Sequence, residues 1–128
     1  MKQLFIISLF VPIISFGQVE KIKEPLIHTV LFWLNNPESE KDRDAFETAI
    51  QKLIATNPQG IKSHLGKPAK TGKRGVVDNS FTYLYLITFS SIEAEAAYQI
   101  DPTHLKFIDQ AKHLWKKVVV YDSNEIIY

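Results

Sequence analysis

Cysteine is absent from the 128-residue chain, which excludes disulfide bonds, thiolate metal sites and cysteine nucleophiles. The chain also lacks an excess of either charge, because it has 15 basic and 14 acidic residues and a formal net charge of +1. Nucleic-acid binding depends on neutralising phosphates, so this balance argues against a nucleic-acid partner. The composition, 45% hydrophobic and 23% charged, is typical of one globular domain.

Residues 1–17 have the pattern of a secretory signal peptide. A basic residue precedes an apolar run from Leu4 to Phe16, which is too short for the roughly 20 residues of a membrane-spanning helix. A proline within the run argues against the other alternative, a buried strand. Ser15 and Gly17 are small residues at the spacing that signal peptidase requires, so Gln18 is the predicted mature start. We expect a periplasmic or secreted protein that has no membrane association after cleavage.

Hydrophobic periodicity and turn residues divide the rest of the chain into strands and helices. The predicted strands are residues 26–34, 61–65, 81–89 and 118–121. Ser39, Ser90 and Asp101 are the predicted N-caps of helices, and Asp101 divides the second helical segment in two. The order is βαββαβ, which predicts an α+β ferredoxin-like fold with helices on one face of an antiparallel sheet.

Apolar stripes at three- and four-residue steps mark the faces of the helices expected to be buried. The first helix has Ala45, Phe46, Ala49, Ile50, Leu53 and Ile54 on this stripe. The last helix has Leu105, Phe107, Ile108, Ala111, Leu114 and Trp115.

Strands one and three are apolar on both faces, unlike the strands of a sheet with one face in water. In strand one, His28, Val30, Phe32 and Leu34 alternate with Ile27, Thr29, Leu31 and Trp33. In strand three, Phe81, Tyr83, Tyr85, Ile87 and Phe89 alternate with Thr82, Leu84, Leu86 and Thr88. The chain has no further helix to cover the second face. We therefore predict a homodimer formed through that face.

Five segments in order resemble the stress-responsive A/B barrel (Dabb) family of the dimeric ferredoxin-like superfamily. His28-Thr-Val-Leu-Phe32 resembles the H-x-V-x-F start of the family's first strand, and residues 57–66 resemble its P-G-I motif followed by a strand and a glycine. Residues 80–89 resemble a strand that opens with T-H and closes with phenylalanine. Residues 97–104 resemble the Y-x-x-H-P-x-H segment, and residues 118–122 resemble the last strand. The resemblance covers residues 26–122, our predicted domain. It implies two ferredoxin-like domains packed sheet to sheet as an α/β barrel dimer.

Polyketide cyclases within this family supply the candidate catalytic residues. The resemblance implies that His104 is the acid/base histidine, Tyr98 its helper and His28 the first-strand histidine. Asp101 and Tyr83 stand where the family pattern has further histidines, so the family's reaction is not carried over.

The chain path supports a common site, because the segment that follows strand three returns towards the start of strand one. A histidine near a helix N-terminus binds a proton less readily, which makes His104 suitable as a general base. Tyr98 can donate a hydrogen bond to a carbonyl or enolate oxygen. The alternative is that His104 only contributes to the helix cap and His28 is a satisfied core histidine.

The sequence leaves several functions open. The first is a dimeric small-molecule-binding or stress-linked protein, with a small hydrophobic ligand. The second is a cofactor-free lyase or cyclase acting on a polyketide-like carbonyl compound, or an enzyme like the antibiotic-biosynthesis monooxygenases. The third is a structural interaction domain. A deep apolar pocket reached by His28 and His104 would favour an enzyme, and a filled core would favour a structural module.

The remaining motifs concern metal binding, the basic loop and the aromatic residues. His28, His64, His104 and His113 lack the short spacing of metal ligands, so we expect no metal and no cofactor. Residues 67–74 form a basic loop, either solvated, contacting an anion or covering the pocket as a lid. Aromatic candidates for lining a ligand cavity are Trp33, Tyr83, Tyr85 and Phe89, although such residues more often form the core.

Overall fold

A computed structural model describes residue 17 and residues 19–127 of the chain. The rest of the predicted signal peptide and the predicted mature start, Gln18, lie outside the described residues. The strands are β1 (Leu26–Leu34), β2 (Ser63–Gly66), β3 (Tyr83–Phe89) and β4 (Trp115–Asn124). The helices are α1 (Glu40–Thr56), α2 (Ile92–Ile100) and α3 (Pro102–Ala111), and a single 3₁₀ turn, Lys112–Leu114, joins α3 to β4.

The four strands form one sheet in the order β2-β3-β1-β4, with every neighbouring pair antiparallel. This is the βαββαβ arrangement of the ferredoxin-like fold, so the predicted α+β class is confirmed. Leu26 at the start of β1 lies opposite Phe89 at the end of β3. The segment that follows β3 therefore begins beside the start of β1, as the chain path predicted.

Helix α1 begins where a serine can replace the missing backbone partner of its first turn. The Ser39 hydroxyl accepts a hydrogen bond from the Asp42 backbone N–H at 3.2 Å. Its buried residues are Phe46, Ala49, Ile50 and Leu53. Ala45 was predicted to be buried but is exposed, and Ile54 is half-buried, because both lie at the edges of the apolar stripe.

Helices α2 and α3 meet at Asp101. Asp101 ends α2 through its backbone N–H and caps α3 by accepting the Thr103 N–H at 2.8 Å, as predicted. The predicted cap of α2 was wrong: Ser91, and not Ser90, accepts the Ala94 N–H at 3.1 Å. Ser90 lies one residue too early to reach the first turn of α2. In α3, Leu105 was predicted to be buried but is 53% exposed.

Strand β4 is longer than the sequence predicted, covering Trp115–Asn124 instead of residues 118–121. Its polar ends, which include Lys117 and Asp122, gave no hydrophobic signal. They extend as a strand because β4 pairs with β1 along its whole length. Strand β2 starts at Ser63 and β3 at Tyr83, in each case two residues later than predicted.

The hydrophobic core lies between the helices and one face of the sheet. Phe32 of β1 meets Phe46 of α1 with ring centroids 5.0 Å apart, and Phe46 stacks on Tyr83 of β3 at 4.7 Å. The second face, which we call the open face, carries half-buried Ile27, Leu31, Trp33, Leu84, Leu86 and Val119. Both strand faces are therefore mostly apolar, as the alternating pattern indicated. In the described part of the chain, no helix is long and apolar enough to cross a bilayer.

Candidate functional site

A cavity of about 160 Å³ lies between the helix-facing side of the sheet and helices α2 and α3. We call it the histidine cavity. Its lining residues are His28, Val30, Phe32, Tyr85, Tyr98, Gln99, His104, Phe107, Ile108, Trp115, Val118 and Val120. The wall is mainly apolar, with imidazole and phenol groups as its principal polar groups. All three predicted site residues, His28, Tyr98 and His104, contribute to it.

His28 is held by an acidic residue of the neighbouring strand. It lies on β1 opposite Asp122 of β4, and its Nδ1 is 2.6 Å from the carboxylate Oδ1. A carboxylate accepts hydrogen bonds, so Nδ1 of His28 donates to Asp122, and the neutral tautomer that keeps this bond has its lone pair on Nε2. The His28 side chain is buried, whereas the Asp122 side chain is 53% exposed. The description of His28 as a satisfied core histidine is therefore correct, but its ring also lines the cavity.

The ring of Tyr98 lies close to the rings of both histidines. It is buried on α2, with its ring centroid 6.0 Å from that of His28 and 4.2 Å from that of His104. Burial raises the pKa of Tyr98, so the phenol stays protonated and can donate a hydrogen bond. No acceptor for its hydroxyl occurs among the described residues.

His104 occupies the first turn of α3, where its ring contacts the end of α2. Its Nδ1 lies 3.3 Å from the Gln99 carbonyl oxygen, which can only accept, so Nε2 has the lone pair in the neutral ring. Burial lowers the pKa of His104 below its ordinary value of 6.5, and this effect outweighs the opposing hydrogen bond to Gln99. The sequence had suggested the helix N-terminus as the cause of such a shift. Burial is the main cause in the structure.

A hydrogen-bond network fixes the start of α3 and thereby the position of His104. The Asp101 carboxylate accepts hydrogen bonds from the Thr103 backbone N–H and from Gln59 Nε2 at 3.0 Å. Asn57 Nδ2 donates to the Thr103 hydroxyl at 3.2 Å. The hydrogen bonds from Thr103, and then the one from Gln59, hold the pKa of Asp101 below its usual range. Asp101, which replaces a family histidine, therefore serves to cap α3 and tie it to the α1–β2 turn.

Two features of the candidate site were not predicted from the sequence. They are the contribution of Asp122 and the polar hydroxyl group of Tyr85. The last strand was predicted to end at residue 121, so the pairing of Asp122 with His28 was not considered. The signal was the register of an antiparallel β1–β4 pair, which places these two residues opposite each other. Tyr85 was weighed only as an aromatic lining residue.

The other aromatic candidates lie elsewhere. Trp33 and Tyr83 line a separate cavity of about 380 Å³ at the other end of β1. Phe89 is buried next to Tyr98, with ring centroids 5.1 Å apart. Of the four candidates, only Tyr85 is among the residues that line the histidine cavity.

The basic loop does not cover the histidine cavity, since none of residues 67–74 lines it. Lys67 is instead bound to Glu47 of α1 at 2.8 Å. The Tyr83 hydroxyl donates to the same carboxylate at 2.5 Å. Lys67, and then Tyr83, lowers the pKa of Glu47. The basic loop therefore does not lie over the three site residues in this structure.

The four histidines were also considered as metal ligands in the sequence, where their spacing argued against a metal site. Within residues 17 and 19–127, no group of three or more His, Asp or Glu side chains is placed to hold a metal ion. His64 and His113 are exposed and do not line the histidine cavity.

Comparison with known proteins decides the family. The stress responsive A/B barrel domain matches residues 26–125 of the chain. The chain belongs to this family. The olivetolic acid cyclase of Cannabis sativa is 22% identical over 95 residues, which cover 74% of this chain and 91% of that protein.

Solved structures share the ferredoxin-like fold of this chain. A hydroxynitrile lyase from Passiflora edulis superposes with a TM-score of 0.65 at 21% identity, covering 80% of this chain and 94% of that one. A protein of unknown function from Thermobifida fusca, described as a dimeric ferredoxin-like protein, has a TM-score of 0.64 at 17% identity. The match covers 84% of this chain and 97% of the other.

Proposed function

We propose that this A/B barrel protein binds a small neutral carbonyl compound in the histidine cavity, and that His104 transfers a proton at the carbon next to the carbonyl. The observation that carries the proposal is the convergence of His104, Tyr98 and His28 on one mainly apolar cavity. A filled core would have favoured a structural module.

The proton transfer follows from the hydrogen bonds of His104. Its Nδ1–H donates to Gln99, so the Nε2 lone pair is available as the base. The lowered pKa keeps the ring neutral near pH 7. When Nε2 removes the α-proton, the C–H electron pair forms the enolate and negative charge develops on the carbonyl oxygen. The Tyr98 phenol can stabilise this oxygen by donating a hydrogen bond.

His28 and Asp122 have a supporting role in the proposal. The carboxylate orients the imidazole through Nδ1, so the other ring nitrogen, Nε2, is free of this bond. Such acid–histidine pairs fix the orientation and tautomer of a histidine. The lone pair of His28 Nε2 can then accept a hydrogen bond from a hydroxyl group of the ligand.

Cavity size and polarity define the ligand class. A cavity of about 150 Å³ accommodates a benzene molecule, so about 160 Å³ accommodates a ligand of about one six-membered ring. The apolar wall favours a neutral ligand, because burying an unpaired charge is costly. The names of the two enzymes similar to this chain, a cyclase and a hydroxynitrile lyase, support carbon-centred chemistry in this fold.

The proposal includes assembly as a homodimer through the open face. This face carries half-buried Ile27, Leu31 and Leu84, and a contiguous apolar surface of this kind is a liability in a monomer. The description of the Thermobifida fusca protein as dimeric supports this arrangement.

We also propose export, which rests on the pattern of residues 1–17. Mass spectrometry of the exported fraction from the native host should give a chain that begins near Gln18. An intact Met1 in that fraction would contradict export by cleavage.

Deuterium exchange tests the proposed chemistry directly. Cyclohexanone in D₂O should exchange its α-protons faster with the protein than in buffer alone, as followed by proton NMR. The ketone should also shift the NMR signals of Tyr98 and His104. A protein that neither binds the ketone nor accelerates exchange would contradict the proposed function.

A further inference from the structure

Tyr85 has a buried hydroxyl without a partner in the protein. It lies in the middle of β3 and is 1% exposed. Within the described part of the chain, its Oη makes no hydrogen bond. A buried polar group that makes no hydrogen bond destabilises the folded state by about 1–3 kcal/mol, and such groups are rare enough to require an explanation.

Tyr83 provides an internal comparison. It lies two residues before Tyr85 on the same face of β3 and is equally buried. Its hydroxyl donates to Glu47 at 2.5 Å, so its hydrogen bond is made within the protein. Burial alone therefore does not prevent a tyrosine on this face from having a partner.

The position of Tyr85 indicates what its partner is. Tyr85 lines the histidine cavity together with His28, Tyr98 and His104, whereas Tyr83 lines the other cavity. Burial raises the pKa of Tyr85, so its hydroxyl remains a neutral donor throughout the physiological range. No lysine or arginine is among the lining residues. A neutral oxygen acceptor is therefore the group that matches this wall.

We propose that Tyr85 is a specificity-determining residue that donates a hydrogen bond to a second oxygen of the ligand. The first oxygen is the carbonyl at Tyr98 and His104, so this inference rests on the proposed function. The substrate class becomes small, neutral compounds of about one ring with two oxygens, such as diketones or hydroxyketones. Binding sites with a buried hydrogen-bonding group discriminate against analogues that lack the matching atom.

Matched ketone pairs test the inference. Dissociation constants are measured by NMR titration for cyclohexane-1,4-dione against cyclohexanone, and for hexane-2,5-dione against 2-hexanone. The unsubstituted protein should bind at least one dione about three- to tenfold more tightly than its monoketone, which is the effect of one additional hydrogen bond. Tyr85→Phe should remove this preference, so that its dissociation constants for a dione and for the matching monoketone become equal.

Tyr83→Phe is the matched control, because it removes a phenol hydroxyl from the same strand face outside the histidine cavity. It should keep the dione preference and lower the unfolding temperature, since Glu47 loses a donor. Tyr85→Phe should not lower the unfolding temperature, because its hydroxyl has no protein partner to lose.

Two results would overturn the assignment of Tyr85. They are equal binding of diones and monoketones by the unsubstituted protein, and an unchanged preference for diones in Tyr85→Phe. If neither ketone type binds, the proposed function fails and this inference fails with it. Monoketone binding without dione preference would contradict the role of Tyr85 alone.

Discussion

The Nδ1 atom of His28 and the Oδ1 atom of Asp122 lie 2.6 Å apart, although the two residues are separated by 94 positions in the sequence. They are directly opposite in the β1–β4 ladder, which is the longest strand pairing of the sheet. The pair connects the first and last strands of the domain at the wall of the histidine cavity. The register of the β1–β4 pair therefore determines which residue holds the His28 ring at the cavity wall.

Replacing Asp122 tests its role in holding the His28 ring. Asp122→Ala leaves the buried His28 N–H without an acceptor, so the free energy of unfolding should fall by about 1–3 kcal/mol. Urea denaturation followed by circular dichroism measures the change. Asp109→Ala is the control, because Asp109 is 82% exposed and its pair with Lys112 is loose at 3.9 Å. Its effect should stay within about 0.5 kcal/mol, and equal losses in both variants would count against the role of the His28–Asp122 pair.

The pH dependence of deuterium exchange should reflect His104. Its pKa lies below 6.5, and only the neutral ring acts as a base, so the rate should rise with pH and level off with a midpoint below 6.5. The same shift makes the free energy of unfolding fall as the pH decreases from 6.5 towards the lowered pKa, because the unfolded chain takes up the proton first. A rate profile with its midpoint well above 6.5 would contradict the assignment of His104 as the base.

The open face should be the dimer interface. Leu84 lies on it opposite Leu31, so Leu84→Lys places a charge within the apolar contact. Light scattering at micromolar concentration should give twice the chain mass for the unsubstituted protein and a monomer or aggregate for Leu84→Lys. Leu105→Lys is the control, because Leu105 is already 53% exposed on α3, and it should stay dimeric. A monomeric unsubstituted protein would refute the interface.

Much of the fold could be predicted because strands one and three have strong period-two patterns. The alternation of Phe32 and Leu31, for example, correctly assigned the two faces of β1. The ends of β4 could not be predicted, since Lys117 and Asp122 are ordered by backbone pairing with β1 and not by their own burial. The shift of the α2 cap from Ser90 to Ser91 likewise depends on backbone geometry that two adjacent serines do not reveal.

The candidate site could also be predicted only in part from the sequence. The chain path and the family resemblance were sufficient to bring His28, Tyr98 and His104 to one cavity, whereas their catalytic role stays a prediction. The difference between Tyr83 and Tyr85 could not be predicted, because both residues are aromatic positions on the same strand face. Only the three-dimensional structure shows that one hydroxyl has Glu47 as its partner and the other has none in the described protein.

The most direct test of the central claim is the deuterium exchange of cyclohexanone by His104→Gln, compared with His113→Gln. His113 is an exposed histidine outside the histidine cavity, so its substitution controls for the loss of a surface imidazole. His104→Gln should keep its unfolding temperature and slow the protein-dependent exchange by roughly 10²–10⁴-fold, the usual contribution of a general base. His113→Gln should exchange at the unsubstituted rate. Equal exchange rates in both variants, with both proteins folded, would contradict proton transfer by His104.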